Sequence, residues 1–312
     1  MCAKYAGDDD NGTASPRVGE PEHQLLVPEL AAAASEDEIA KISPLVICFH
    51  GSGESCSPSW DALAGMLTAA PHRLRVLLYD RGPLNPKPAV ATADLRAYLK
   101  SGGERTKGPY VLVAHSYGGA FARLFLEEAR SEVAGLVLVE TGQEGGLGTG
   151  VEERQYARRI LGMRPLSVVR GNSLLRMQEE LAEAEAGAST DVEKESVGKR
   201  REMLELWDKK DQELKKRQLD LSRETAMKRY VHVSDCGHHV VRDRPDIVAN
   251  EVAWVVENSE ERYDDEDDVI EEEGKRHGAE AGVGRGEQAR GKMRRIWERI
   301  ATMFGKLRRF KK

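Results

Sequence analysis

The sequence predicts an α/β fold in which helices pack on both faces of a mostly parallel central sheet, with one helical insertion. Short apolar runs rich in β-branched residues alternate with segments whose apolar residues recur at helical spacing. Parallel strands are buried on both faces, so they appear in a sequence as such continuous apolar runs. A chain of 312 residues can bury the core that one domain of this kind needs.

The predicted strands are short apolar runs spread along the chain. Apolar residues at helical spacing predict helices between them, among them 92–100 and a closing helix bounded by Pro245. Between residues 169 and 230 the chain is highly charged and has a sparse apolar edge, which predicts the helical insertion at about 172–228. The predicted strands cover residues 45–49, 74–79, 110–114, 135–139, 165–169 and 230–233.

Residues 110–125, YVLVAHSYGGAFARLF, join one of these strands to a helix across a serine. A sharp strand-to-helix turn of this kind forces the serine into a strained backbone conformation and therefore requires small neighbours. Gly118 meets that requirement, and Ala114 stands where glycine is usual. The turn would expose the Ser116 hydroxyl at the edge of the sheet and aim the backbone N–H of Tyr117 at a developing oxyanion.

Two further motifs follow predicted strands on either side of this turn. HGSG at 50–53 follows the first predicted strand, and CGHH at 236–239 follows the last one. With HGSG, AHSYGG and CGHH in this order, the chain resembles the α/β-hydrolase superfamily over about residues 44–257. The resemblance implies an α/β-hydrolase fold, a leading antiparallel strand near 23–28, and an insertion that forms a lid in many members.

The resemblance also implies roles in acyl transfer, which needs a nucleophile, a base and donors for the oxyanion. Ser116 is the predicted nucleophile, and the backbone N–H groups of Ser52 and Tyr117 are the predicted oxyanion hole. His238 directly follows a glycine, as in the superfamily pattern, and is the predicted base. We expect the neighbouring His239 to pack or to point to solvent.

The motifs do not determine which carboxylate completes this predicted triad. In the chain order serine, acid, histidine, the acid usually follows the strand at 165–169, but the sequence there reads RGNS, without a carboxylate. Some hydrolases carry the acid one strand earlier, and Glu140 stands at that place. Glu140 is therefore the predicted acid. Glu144, Asp208 and Asp211 are the alternatives, and a loop salt bridge is the alternative role for Glu140.

Charge and cysteine content bear on partners and compartment. The net charge of −6 averages an acidic block at 264–273 and a basic end at 292–312, so it says little about partners. The four cysteines lack the spacing of a metal site or of a disulfide framework. No stretch has the pattern of a signal peptide or the length of a transmembrane helix. We therefore expect reduced thiols, no metal, no cofactor and a cytoplasmic protein.

The composition divides the chain into four parts. Residues 1–22 are predicted to be a disordered tail, and 23–258 to be the α/β-hydrolase domain. Residues 259–291 are predicted to be a linker that is first acidic and then Gly-rich, and 292–312 to be a basic amphipathic helix. The insertion within the domain is predicted to be either a lid or a solvated helical pair that shields one edge of the sheet.

Two functions of different classes compete. The leading one is a serine hydrolase that cleaves an ester, thioester or amide of a small, fairly apolar acyl group through an acyl-enzyme. The alternative is a noncatalytic hydrolase-like scaffold that acts through its C-terminal basic helix. That helix at 292–312 has the pattern of a peripheral membrane anchor, with a partner-binding segment as the alternative. We expect a small-molecule acyl substrate and no nucleic-acid partner.

Overall fold

The computed structural model describes residues 23–28, 43–81, 87–142 and 147–260. Within these residues, seven strands form one sheet. The strands are β1 (Gln24–Leu26), β2 (Leu45–Phe49), β3 (Arg75–Tyr79), β4 (Tyr110–His115), β5 (Val133–Val139), β6 (Leu166–Arg170) and β7 (Lys228–His232).

The sheet is mostly parallel, as predicted. Its strand order is β1-β3-β2-β4-β5-β6-β7. β1 pairs antiparallel with β3 at one edge, and every other neighbouring pair in the described sheet is parallel. The observed strands begin or end one or two residues away from most of the predicted bounds. Strand ends depend on pairing with a neighbouring strand, which a local apolar pattern does not contain.

Helices alternate with these strands along the chain. In chain order they are α1 (Asp61–Thr68), α2 (Pro88–Ser101), α3 (Gly118–Glu128), α4 (Thr149–Arg158), α5 (Leu175–Gly187), α6 (Asp191–Gln218), α7 (Val240–Asp243) and α8 (Pro245–Glu260). Short 3₁₀ turns occupy Gly103–Thr106, Arg130–Glu132, Leu219–Leu221 and Thr225–Met227. The sequence did not predict α4, whose residues are mostly polar.

The core forms two layers because successive residues of a strand face opposite sides of the sheet. In β2, Leu45, Ile47 and Phe49 pack in the layer that also contains apolar residues of α2 and α3. Val46 and Cys48 pack in the opposite layer, with apolar residues of α1 and α8. Helices therefore cover both faces of the sheet, as the alternating sequence pattern predicts.

The predicted helical insertion is present as α5 and α6. α6 begins with a capping box, in which Thr190 Oγ1 accepts from the N–H of Glu193 (3.3 Å) and Glu193 Oε2 accepts from the N–H of Thr190 (2.8 Å). Near its other end, Asp208 and Asp211 pair with Arg170, the last residue of β6, at 2.5 and 2.7 Å. The insertion therefore contacts the carboxyl end of the sheet, where α/β folds form their sites.

Some predictions concern residues outside the described part of the chain. They include the tail at 1–22, most of the linker at 259–291, the basic helix at 292–312, and Glu144. These stay predictions. Among the residues that the structure describes, no helix combines the length and the apolar character needed to cross a bilayer.

The close packing between the start of α3 and the end of β2 yields a stability prediction. A methyl group on Gly118 would collide with the backbone carbonyl of Phe49, which cannot move away as a flexible side chain can. We therefore expect Gly118→Ala to lower the free energy of unfolding by about 3 kcal/mol, or to prevent folding. The measurement is urea denaturation followed by circular dichroism.

Gly65→Ala is the matched control for this substitution. Gly65 lies on the exposed side of α1, and a Cβ there meets no atom within 4 Å. Alanine is the better helix former, so this variant should gain up to about 1 kcal/mol. A Gly118→Ala protein as stable as the wild type would show that the two elements separate easily.

Candidate active site

Ser116 occupies the turn between β4 and α3. Its backbone φ of +53° lies in the left-handed region, which costs a non-glycine residue about 1–3 kcal/mol. Backbone hydrogen bonds hold this conformation: the N–H of Ser116 donates to the carbonyl of Val139 (3.1 Å), and the N–H of Gly119 donates to the carbonyl of Ser116 (3.0 Å). The strained strand-to-helix turn anticipated from the sequence is therefore present.

His238 brings together two residues that are far apart in the sequence. Its Nε2 lies 3.0 Å from Ser116 Oγ, and its Nδ1 lies 3.2 Å from Glu140 Oε2. One tautomer satisfies both contacts: Nδ1–H donates to the carboxylate, and Nε2 accepts from the serine hydroxyl. The structure thus brings the three predicted residues Ser116, His238 and Glu140 into one hydrogen-bonded line. Their catalytic roles stay predictions.

Glu140 is the first residue after β5 and is fully buried. Its φ of +52° also lies in the left-handed region, and its N–H donates to the carbonyl of Val169 (2.9 Å). The carboxylate accepts from the backbone N–H of Gly171 through Oε1 (2.8 Å) and from Ser173 Oγ through Oε2 (2.6 Å). The RGNS segment, which lacks an acid, therefore supplies donors to the acid of the preceding strand.

The surroundings of Glu140 favour its ionised form. Burial raises the pKa of this carboxyl, because it removes water from the charged form. The hydrogen bond with His238, the ammonium of Lys215 (3.9 Å from Oε1) and the Ser173 hydroxyl act in the opposite direction. Together they outweigh burial, and the pKa of Glu140 lies below its ordinary value. An ionised carboxylate at this position can stabilise a positive charge on His238.

Two further histidines support the backbone around the site. His115 Nε2 lies 2.9 Å from the carbonyl oxygen of His238 and can donate to it, and burial lowers the pKa of His115 to about 4. The backbone N–H of Arg81 donates to His50 Nε2 (3.2 Å), and Arg81 Nη2 donates to the carbonyl of Gly51 (2.9 Å). Burial, followed by the charge of Arg81, lowers the pKa of His50 to about 4. Both rings are therefore neutral near pH 7.

The HGSG loop lies directly beside Ser116. A Cβ on Gly51 would stand 3.3 Å from the Cβ of Ser116, so only glycine lets the loop approach this closely without a shift. Ser52 follows in the same loop, and Tyr117 immediately precedes α3. Ser52 thus belongs to the loop beside Ser116, and Tyr117 to the turn that contains Ser116. Their role as an oxyanion pair stays a prediction.

The second histidine of the CGHH motif has a different partner. His239 is partly exposed, and its Nδ1 lies 3.2 Å from Glu54 Oε1, a residue of the loop after β2. The His238 ring, by contrast, contacts Ser116 and Glu140. The two adjacent histidines therefore have different contacts, and the contacts of His238 are those expected of the predicted base.

Of the alternative acids, the structure describes Asp208 and Asp211, and Glu144 lies outside the described residues. Asp208 and Asp211 both pair with Arg170, and Asp211 also lies 3.1 Å from Lys215 Nζ. Sequence reasoning missed the two hydrogen-bond donors to Glu140, Gly171 and Ser173, and the cation near it, Lys215. Gly171 and Ser173 are small residues just after β6, and such residues after a strand are a signal that could have pointed to them. Lys215 is one lysine among many in a charged helix, and its sequence context carries no such signal.

The sequence of this chain is similar to one protein family and to one curated protein. A model of the alpha/beta hydrolase family matches residues 46–251 of this chain. A curated protein described as a probable transporter, efuK of Hormonema carpetanum, is 26% identical over 286 residues. That match covers 69% of this chain and only 40% of the relative, so the chain spans well under half of the relative's length.

Solved structures with a similar chain path include two hydrolases. A dienelactone hydrolase from Anabaena variabilis is 16% identical, with a TM-score of 0.43, and the match covers 76% of this chain and 92% of that one. A thermophilic esterase from Thermogutta terrifontis is also 16% identical, with a TM-score of 0.43, and the match covers 79% of this chain and 96% of that one.

Proposed function

This chain belongs to the α/β-hydrolase family, and we propose that it is a serine hydrolase that cleaves an ester, thioester or amide through an acyl-enzyme. The observation that carries the proposal is the line of contacts from Ser116 through His238 to Glu140, at 3.0 and 3.2 Å. These separations lie within the range at which a nucleophile, its base and an orienting acid exchange or hold protons.

In the first half-reaction, Ser116 Oγ attacks the carbonyl carbon of the substrate while His238 Nε2 takes the hydroxyl proton. The carbonyl oxygen becomes an oxyanion, which the N–H groups of Ser52 and Tyr117 stabilise. Glu140 stabilises the imidazolium through Nδ1–H and does not take its proton. When the tetrahedral intermediate collapses, the bond to the leaving group breaks, and His238 returns the proton to that group.

In the second half-reaction, water replaces the leaving group. His238 Nε2 takes a proton from the water as its oxygen attacks the acyl carbon. Collapse of the second tetrahedral intermediate breaks the bond to Ser116 Oγ, which regains its proton from His238. The products are a carboxylic acid and the free enzyme, and each proton taken by the imidazole is returned within the same half-reaction. This scheme accounts for a base that contacts both the nucleophile and a buried carboxylate.

The proposal is tested most directly at Ser116. Ser116→Ala should abolish both labelling by a fluorophosphonate probe and hydrolysis of a short p-nitrophenyl ester, because the reacting oxygen is gone. Ser55→Ala, which removes an exposed hydroxyl in the neighbouring loop, is the control and should label like the wild type. Undiminished labelling of Ser116→Ala would refute the assignment. A folded wild type that neither labels nor hydrolyses would favour the noncatalytic scaffold.

The two adjacent histidines provide a second test. His238→Ala should lower turnover by roughly 10²–10⁴-fold, the usual contribution of a positioned general base. His239→Ala removes one of the partners of Glu54 and should keep turnover within a few-fold of the wild type. Steady-state rates with the same ester measure both. The reverse pattern would place the base on His239.

The acid has its own test, with a control from the same cluster of charges. Glu140→Gln preserves the side-chain volume but removes the charge that stabilises the imidazolium, so turnover should fall by about 10⁴-fold. Asp208→Asn removes a carboxylate that pairs with Arg170 and should retain most of the activity. Equal activity of Glu140→Gln and wild type in the ester assay would assign the orienting role to another group.

A further inference from the structure

Helix α6 buries two polar side chains near its C-terminal end. It is 28 residues long and strongly charged, and only Leu204, Lys215 and Gln218 are buried. Lys215 is fully buried, a rare environment for a lysine, which otherwise keeps its ammonium in water. A buried ammonium requires nearby negative groups, so its partners indicate what it does.

Lys215 connects α6 electrostatically to Glu140. Its Nζ lies 3.1 Å from Asp211 Oδ1 and 3.9 Å from Glu140 Oε1. Asp211 in turn accepts from Arg170 Nε at 2.7 Å. Charges therefore alternate in sign from Arg170 through Asp211 and Lys215 to Glu140. Besides His238, the Glu140 carboxylate pairs with the ammonium of Lys215.

Gln218, one turn further along α6, holds the residue after Glu140. Its Nε2 donates to the carbonyl of Thr141 (2.9 Å), and Thr141 Oγ1 donates to Gln218 Oε1 (3.1 Å). A Cβ on Gly142 would collide with the Gln218 amide, and Gly142 has a φ of +101°. The turn 140–142 thus contains two residues in the left-handed region and lies against the end of α6.

We propose that Lys215 and Gln218 are positioning residues that hold the turn 140–142 and so keep the Glu140 carboxylate in contact with His238. The inference rests on the proposed function, because it assigns Glu140 the task of orienting the base. Lys215 contributes the compensating charge, and Gln218 contributes paired hydrogen bonds to a strained turn. The helical insertion is then a fixed part of the site, since its α6 segment supports the acid by two separate contacts.

The first test compares two lysines of α6. Lys215→Met should lower kcat by about 10²-fold with little change in KM, the effect expected when a reacting group is displaced slightly. Lys210→Met removes the same charge from an exposed position of α6 and should leave both constants unchanged. Circular dichroism verifies that the variants are folded. Equal kcat in the Lys215→Met variant and the wild type would overturn the inference.

A double-mutant cycle separates positioning from general destabilisation. If Lys215 acts through Glu140, then Lys215→Met should have little further effect in a Glu140→Gln protein. Gln218→Met should likewise have little further effect on turnover in the Glu140→Gln protein. This variant tests the inference if Lys215→Met does not fold. A full, independent loss of turnover from both substitutions in the Glu140→Gln background would show that they act elsewhere.

A spectroscopic measurement tests the inference without any substrate. The hydrogen-bonded Nδ1–H proton of His238 should give a downfield proton NMR signal that His238→Ala and Glu140→Gln both remove. Lys215→Met and Gln218→Met should shift or abolish that signal, whereas Lys210→Met should leave it in place. An unchanged signal in both positioning variants would overturn the inference. A wild type that has the signal but does not react with the fluorophosphonate would refute the proposed function and not the positioning role.

Discussion

A single buried charge organises this site: the carboxylate of Glu140. Removal from water is costly for an ionised group unless it is paired and hydrogen-bonded. Here the pairing groups come from different parts of the chain: His238 after β7, Gly171 and Ser173 after β6, and Lys215 on α6. Each of these segments must be in place for the charge to be tolerated. The requirement therefore couples the end of β5 to the next strands and to the helical insertion.

The parts of the fold that local patterns determine could be predicted from the sequence. The apolar runs of β2, β4 and β5 are continuous because helices cover both of their faces, so their position and parallel pairing follow from composition. The turn at Ser116 could also be predicted, because a turn this sharp has room only for small residues on either side of the serine. Helix α4 was not predicted, because its inward side chains include Gln155 and Tyr156, which interact with Arg123 through polar atoms. A helix that packs by hydrogen bonds leaves no apolar stripe in the sequence.

Local sequence patterns could not determine which carboxylate contacts His238. A carboxylate after β5 and one after β6 could both reach an imidazole above the sheet, and only the fold determines which one does. Glu140 was predicted from its place after the strand, but the sequence left Glu144, Asp208, Asp211 and a loop salt bridge open, and Glu144 lies outside the described residues. In the structure, Asp208 and Asp211 both pair with Arg170. The RGNS segment, which contains no acid, supplies two hydrogen-bond donors to Glu140. Such contacts join residues far apart in the sequence, and no local pattern encodes them.

Ser116 and Glu140 occupy equivalent positions directly after adjacent strands, because His115 of β4 is paired with Val139 of β5. The spacing of two neighbouring strands, about 4.8 Å, therefore sets the separation of their backbones. β4 and β5 lie in the middle of the sheet, with neighbours on both sides and buried residues throughout. Disturbing this spacing requires opening the centre of the molecule, which is the last region to fluctuate. Separation of Ser116 from Glu140 on heating then requires the central strands themselves to come apart, so this half of the site should persist until global unfolding.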